Sequence, residues 1–298
     1  MIGARSRLNA ADWDGPLPML PEGDAIPRVI HQTYPVKTLP PLLQDAVDRL
    51  RGGNPQWQHH LYDDGDVRDF IGLHYDGRVL AAYNRIDPAY GAARADLFRY
   101  LLLYRLGGVY LDIKSGCGIP LDDLLLPGDR YLLSFWHRED AAYRREWGLH
   151  SELAHVPDGE FQQWYIACAP GHPFLRAVLA KVLQNLEEYR PFTDGIGRSG
   201  VLRVTGPIAY TLAIEPILQR HAHRWWENHE RAGLIYNCVN PGEAEFYKTL
   251  FPSHYTTCNR PVVQCGPATT LAVMAAVNAK RTGRRLIRGL ARRNGSNP

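Results

Sequence analysis

The stretch Ala92–Lys114, A-A-R-A-D-L-F-R-Y-L-L-L-Y-R-L-G-G-V-Y-L-D-I-K, constrains this chain more than any other. Its apolar stripe, Leu97, Tyr100, Leu101 and Tyr104, fits a period of 3.6 and predicts a helix. Leu97, Phe98, Leu101, Leu102 and Leu103 make that helix apolar nearly all round, which implies burial. Two glycines then stop it, and the short apolar run Val109-Tyr110-Leu111 reads as a strand that delivers Asp112 at its end. A carboxylate at the end of a buried strand is where α/β folds place ligand chemistry.

Asp96 and Arg99 lie three residues apart, so their side chains can meet on one helix face. An exposed pair of this kind contributes little. On a buried helix the same pair needs a reason, structural or functional, and both readings stand. Asp112 has two readings as well. It can meet a hard cation bound to phosphates, since such ions use one or two carboxylates plus phosphate oxygens. It can equally cap the turn at Ser115-Gly116. Lys114 cannot ligate a metal while protonated, but it can hold a phosphate as a point charge.

The flanks set the architecture. Residues 1–25 are rich in Pro and Gly and read as an irregular arm. Ile26–His31 reads as a buried strand with Gln32–Pro35 as its exit loop, where His31, Gln32 and Tyr34 could meet a base. A helix over Pro41–Leu50, a strand over Trp57–Tyr62, a turn at Asp63-Asp64-Gly65 and a helix from Asp66 follow. Strands are predicted at Tyr131–Trp136 and Glu160–Ala169, and a helix over Phe174–Tyr189. Residues 191–204 read as a Gly-rich loop, and Gly206-Pro207 opens a helix to about His221. Residues 250–263, which include His254, read as irregular. Alternating strands and helices argue an α/β fold with a largely parallel sheet. The expected division is an arm at 1–25, one domain over 26–266 and a basic tail at 267–298.

Charge narrows the partners. Seven of the chain's 34 basic residues fall between Lys280 and Arg293, without an acid among them. The remaining 27 stand against 31 acidic residues, so the body is slightly acidic and lacks the footprint of a nucleic-acid binder. The tail interleaves Leu286, Ile287 and Leu290 with arginines, as a short interfacial helix on an acidic membrane would, although a solvated terminus is the plainer reading. No apolar run is expected to span a bilayer, and the N-terminus lacks the apolar core of a secretory signal. Five cysteines without a C-x-x-C pair read as reduced thiols in a cytosolic protein. The commonest zinc-protease, α/β-hydrolase and P-loop motifs are absent.

Taken in order, I-P-R-V-I-H-Q-T-Y, the long central block, A-P-G-H-P-F and T-G-P resemble one family over roughly residues 26–260. It is the glycosyltransferase group with a DXD-containing sugar-binding region, the family of the yeast Golgi initiating mannosyltransferase and of bacterial capsular polysaccharide transferases. More distantly, the chain is similar to the glucosylating domains of large clostridial toxins. The resemblance implies a GT-A fold, with a Rossmann-like, mixed and mostly parallel sheet flanked by helices. It also implies a retaining transfer of a hexose from a UDP- or GDP-sugar to a glycan, lipid-linked or protein acceptor.

Matched residue by residue, Asp96 and Arg99 would grip the donor sugar. Asp112 would be the first DXD carboxylate, at the metal and diphosphate. Tyr34 would lie near the base, His254 near the diphosphate, and Gly206-Pro207 near sugar and acceptor. Gln163, with Gln162 beside it, falls in a sugar-facing segment. The implied cofactor is Mn²⁺ or Mg²⁺, held by Asp112 and His254. Two departures mark this chain. Lys114 replaces the second DXD carboxylate, and His-Tyr-Thr-Thr-Cys stands where an aromatic Ser-Trp ending often follows the late histidine. Two alternatives stay open: a metal-independent enzyme in which Lys114 replaces the ion, and a catalytically silent sugar-binding module.

Overall fold

The computed structural model describes residues 13, 15–136, 146–226, 228–239, 249–251 and 254–279. Its centre is a four-stranded sheet of β1 (Val29–Thr33), β2 (Gln58–Tyr62), β3 (Gly108–Leu111) and a later strand, Tyr165–Cys168. The order runs β2, β1, β3 and then that last strand; the first three are parallel and the last is antiparallel to β3. This is the mixed, mostly parallel sheet flanked by helices that the sequence predicts.

Both faces of the sheet are covered, and strand alternation assigns each residue to its side. Ile30, Val109, Leu111, Tyr165 and Ala167 join one apolar cluster, while Tyr110, Ile166 and Cys168 join the larger one behind. That larger core is built by helices α2 (Asp64–His74), α3 (Gly77–Arg85) and α4 (Gly91–Leu106), with α1 (Pro41–Gly52) packing elsewhere. Ten consecutive-turn positions of α4, from Ala93 to Tyr104, are buried, so the helix is indeed enclosed on nearly all sides. After β3 come β4 (Gly116–Cys117), α5 (Leu121–Leu124), β5 (Leu132–Leu133) and β6, the Tyr165–Cys168 strand. Helices α6 (Pro173–Glu188), α8 (Gly197–Val204) and α9 (Pro207–Ile214) then close the core, with the short α7 (Pro191–Asp194) on the surface between them, followed by β7 (Arg224–Trp225) and β8 (Leu234–Ile235).

Several expectations need correction. Strand β1 begins at Val29 and runs on to Thr33, so Gln32 lies in the sheet and not in an exit loop. Asp63 is not a turn residue but the N-cap of α2: its carboxylate accepts from the Gly65 and Asp66 amides, and the Asp66 carboxylate accepts from the Asp63 amide. Helix α3 adds an element, capped by Asp76, that the pattern did not predict. Residues 191–204 hold α7 and α8 in place of a loop. The strands predicted at 131–136 and 160–169 shrink to Leu132–Leu133 and Tyr165–Cys168. The helix opened by Gly206 changes to a 3-10 turn at Glu215.

The described part of the arm packs on the domain. Leu17 is buried, and the Tyr104 hydroxyl donates to the Pro18 carbonyl at 2.8 Å. The run Gly197–Arg220 is long and apolar enough by composition to cross a membrane, contrary to expectation, yet 61% of its most apolar window is buried in the fold. None of the five cysteines is in a disulfide. The basic segment 280–293 lies outside the described residues.

The helix-to-strand corner after α4 requires its two glycines. Gly107 and Gly108 take φ of 66° and 101°, a region that L side chains rarely adopt. A Cβ on Gly108 would meet the Val29 carbonyl oxygen at 2.7 Å and His31 Nε2 at 3.0 Å. The His31 ring fills that corner, with Nε2 3.1 Å from the Gly107 carbonyl and Nδ1 3.1 Å from the Tyr62 hydroxyl.

Two predictions follow from the corner and its histidine. Gly108→Ala is expected to lower stability by at least the ~1–3 kcal/mol of a strained backbone, measured by urea unfolding. Burial lowers His31, His59 and His172 from 6.5 to about 4. Between pH 6.5 and 4 the unfolded chain therefore binds more protons than the folded one, and stability rises with pH. The thermal midpoint is expected to fall as pH drops from 6.5 towards 4. A midpoint that rose on acidification across that window would contradict the assignment.

Candidate functional site

At the carboxyl ends of β1 and β3 the sheet opens into a cavity of about 890 Å³. Thr33, Tyr34, Asp112, Ile113 and Lys114 reach it from the two strand ends, and Asp96 and Arg99 reach it from α4. This is the edge at which parallel α/β sheets bind ligands.

Arg99 is the hub. Its Nη2 lies 3.3 Å from Asp96 Oδ1 and 3.0 Å from Asp112 Oδ1, so one guanidinium ties the helix to the strand end. Nη1 donates to the Gln163 carbonyl at 2.6 Å and to its Oε1 at 3.1 Å, and Nε donates to the Ala95 carbonyl at 3.3 Å. The guanidinium also lies 4.5 Å from the Tyr110 ring centroid. Burial opposes its charge, but Tyr110, Asp112 and Asp96 together hold Arg99 above the ordinary guanidinium range.

Asp96 is buried to 3% exposure and accepts from Gln163 Nε2 at 3.1 Å and Thr205 Oγ1 at 2.9 Å. Burial pushes its carboxyl up, against the pull of Arg99, Thr205 and Gln163. The pair is asymmetric for a physical reason: Arg99 faces two carboxylates, whereas Asp96 faces one guanidinium in the deeper position. Donors on both oxygens favour the ionised form, and the ion pair is the arrangement this geometry supports.

Asp112 is the more open acid, with 26% of its side chain exposed. Its Oδ2 accepts from Lys114 Nζ at 3.2 Å. Its backbone is fixed on both sides: its amide donates to the Trp164 carbonyl at 2.9 Å, and its carbonyl accepts from Ser115 at 2.7 Å and Gln32 Nε2 at 3.3 Å. Lys114 is 5% exposed, and its ammonium lies 3.7 Å from the Tyr236 ring centroid and 3.4 Å from the Tyr236 carbonyl.

The structure thus brings Asp96, Arg99, Asp112, Lys114 and Gln163 together on one cavity floor. Tyr34, Gln162, Pro207 and His254 also line the cavity. The Tyr34 hydroxyl donates to the Leu250 carbonyl at 2.7 Å, and its ring centroid is 5.8 Å from that of Phe251. His254 Nδ1 pairs with Thr256 Oγ1 at 2.8 Å. Gln162 is spent inside the wall, with Nε2 2.8 Å from His229 Nδ1 and Oε1 accepting from Trp164.

Three expected ligand residues do not reach the cavity. His31 is locked in the glycine corner, Gln32 braces the Asp112 backbone and His59 (Nε2 to Oε1, 2.9 Å) from inside the sheet, and Gly206 forms the α8–α9 turn through its bond to the Val201 carbonyl. Two polar strand residues find their partners in the sheet, which leaves them nothing to offer a base. Sequence reasoning in turn missed Thr205, which holds Asp96, and Tyr100, whose hydroxyl lies 3.0 Å from both Gln163 Oε1 and the Thr205 carbonyl and shares its one proton between them. It also missed an aromatic wall of Trp136, Trp147, Trp164 and Tyr236. There ring centroids lie 5.0 Å apart for Trp136–Trp147, 5.1 Å for Trp136–Tyr236 and 5.5 Å for Trp164–Tyr236. Its residues come from three separate segments, so no local pattern marks it.

The expected divalent ion fits this donor set poorly. The Asp112 carboxylate has Arg99 on one oxygen and Lys114 on the other.

Comparison with known proteins agrees with the motifs. Residues 40–131 match the family described as "Glycosyltransferase sugar-binding region containing DXD motif". Over 101 residues the chain is 37% identical to inositol phosphoceramide mannosyltransferase 3 of Schizosaccharomyces pombe, covering 34% of this chain and 28% of that protein. It is 29% identical over 171 residues to inositol phosphoceramide mannosyltransferase 1 of the same organism, covering 56% and 45%. The chain therefore spans less than half the length of these relatives. A solved UDP-bound glycosyltransferase domain from the YGT toxin aligns at a TM-score of 0.48 and 11% identity, covering 74% of this chain and 83% of that one.

The hub gives a direct test. Removing one partner of a buried ion pair leaves the other charge stranded, a loss of about 3–5 kcal/mol. Arg99→Met is expected to cost about that much in urea unfolding. Lys37, which pairs with Asp66 at half-exposed positions, is the control: Lys37→Ala is expected to change stability by no more than about 1 kcal/mol.

Proposed function

We propose that this chain is a retaining glycosyltransferase that moves a hexose from a nucleotide-sugar to an acceptor hydroxyl. The observation that carries the reading is the ion-paired Asp96–Arg99–Asp112 floor, built into a cavity at the carboxyl ends of parallel strands. The family of residues 40–131 and the mannosyl transfer named for both relatives support it.

In this reading the donor sugar lies over Asp96, Arg99 and Gln163, whose fixed oxygens and N–H groups meet its hydroxyls. Tyr34 and Phe251 form the apolar side against which a base can lie. The bond from the anomeric carbon to the distal phosphate oxygen breaks, and the nucleoside diphosphate leaves with the electron pair. An acceptor hydroxyl oxygen forms the new bond on the same face, and its proton passes to the departing phosphate oxygen. The protein's part is to hold fixed charges where charge develops. Here those fixed charges are Asp112 at the end of β3 with Arg99 and Lys114 on its two oxygens, beside the departing diphosphate.

The acceptor side is the aromatic wall. Trp136, Trp147 and Tyr236 line the cavity together with Glu160, which accepts from Trp136 Nε1 at 2.7 Å. Apolar ring faces beside a carboxylate suit a sugar or other polyhydroxylated ring. This favours a glycan or lipid-linked acceptor over a protein. Because both relatives are named as mannosyltransferases, mannose is the first hexose to try. The basic segment 280–293, with Leu286, Ile287 and Leu290 among its arginines, supports peripheral contact with an acidic membrane on its sequence alone.

The test is release of nucleoside diphosphate from a panel of UDP- and GDP-hexoses, with glycans and glycolipids as acceptors. Turnover of at least one donor is expected, and Asp112→Ala is expected to reduce it by about 10²–10³-fold, as loss of a transition-state contact does. Donor binding without turnover across the panel would instead identify a silent binding module. Anomeric analysis of the product decides retention.

A further inference from the structure

We propose that Lys114 is the resident cation of the donor site, and that this protein binds the diphosphate of its donor without a divalent metal. The inference rests on the glycosyltransferase reading and concerns the same cavity.

The first ground is position. Lys114 follows Asp112 by two residues, in the turn just after β3 that the Ser115 amide closes on the Asp112 carbonyl at 2.7 Å. Both residues line the cavity, and Nζ lies 3.2 Å from Asp112 Oδ2. The ammonium therefore stands where a metal bound to that oxygen would stand. It is held there by the Tyr236 ring at 3.7 Å, the Tyr236 carbonyl at 3.4 Å and Ser115 Oγ at 3.5 Å. Ser115 Oγ itself donates to the Tyr236 carbonyl at 2.7 Å, which ties the two sides of this cradle together.

The second ground is exclusion. A hard divalent ion bonds a carboxylate oxygen at roughly 2.0–2.1 Å. On Asp112 Oδ2 it would sit within about 5 Å of the Lys114 ammonium, given the 3.2 Å already separating that oxygen from Nζ. The lysine is 5% exposed and packed on Tyr236, so swinging it into water to relieve the repulsion would break that packing. Moving the ion to Oδ1 offers no escape, because Arg99 Nη2 is 3.0 Å from that oxygen. Two like charges thus guard the two oxygens of the cavity-floor carboxylate on which a DXD-type metal would depend.

The third ground is chemistry. A lysine ammonium is a compact point charge with three donors, which suits phosphate oxygens spread over a diphosphate. A cation fixed before the reaction needs no reorganisation as charge builds on the leaving group. The exchange has a chemical signature. A metal site is lost to chelators and regained with Mn²⁺, whereas a covalently attached ammonium is indifferent to both.

The experiment measures UDP and GDP binding by titration calorimetry, in metal-free buffer with EDTA and again with excess Mn²⁺. For the unaltered protein, affinity for the preferred nucleotide is expected to change less than twofold between the two. Lys114→Ala is expected to weaken binding at least tenfold, without recovery on adding Mn²⁺. Lys114→Asp restores a second carboxylate, and its nucleotide affinity is expected to rise at least tenfold with Mn²⁺. Direct Mn²⁺ titration by electron paramagnetic resonance is expected to find tighter binding to that variant than to the parent. Tenfold loss of nucleotide affinity on chelation of the unaltered protein overturns the proposal and leaves the glycosyltransferase reading intact; this arm needs no variant to fold. Failure of every nucleotide to bind, with or without Mn²⁺, overturns both.

Discussion

The guanidinium of Arg99 is the contact on which the site depends. It bonds a carboxylate on its own helix, another at the end of a strand, and the carbonyl of a third segment. Each of these groups would be costly to bury by itself. Together they satisfy one another, and in doing so they fix the distance between α4 and the end of β3. The sheet supplies the rest: β1 braces the Asp112 carbonyl through Gln32, and the segment before β6 accepts its amide. The cavity floor is therefore rigid because its charges are structural.

The burial of this network bears on the two readings that the Asp96–Arg99 spacing leaves open. A buried ion pair is a weak source of stability, because desolvation offsets the attraction. What this one provides is geometry. Asp112, at 26% exposure, is the end of the network presented to the cavity, while Asp96 and Arg99 are nearly closed off by the protein around them. Lys114 completes the set from the other side. Two acids and two bases share one surface, so the floor carries little net charge although it is densely charged.

The central block was legible because helix, stop and strand are continuous in sequence and each follows a local rule. The periodic stripe of α4, the glycine pair and the terminal Asp112 all stand where the pattern puts them. His31 and Gln32 were misleading for an equally local reason. Polar residues near a strand end look available, but β1 runs two residues further and their partners, Gly107 and Asp112, are some 75–80 positions away. The glycines of residues 191–204 concealed α8, where Gly200 sits against Val262 so tightly that a Cβ would lie 2.7 Å from its Cγ2. A glycine that permits close packing and one that breaks a helix are the same letter. The aromatic wall, gathered from around Trp136, Trp147, Trp164 and Tyr236, belongs to tertiary structure alone.

The antiparallel strand of the central sheet has a consequence for how such a site diversifies. Because β6 runs against β3, the residues just before it arrive at the same end of the sheet as the residues just after β3. Gln163 thereby joins the charged floor while its neighbours Glu160 and Trp164 join the aromatic side. One short stretch of chain spans the border between the two halves of the cavity. Exchanging side chains on either side of Gln163 would redraw the aromatic half and leave the floor of Asp96, Arg99 and Asp112, carried on α4 and the end of β3, standing, so the topology itself works as a seam along which new specificities can be grafted.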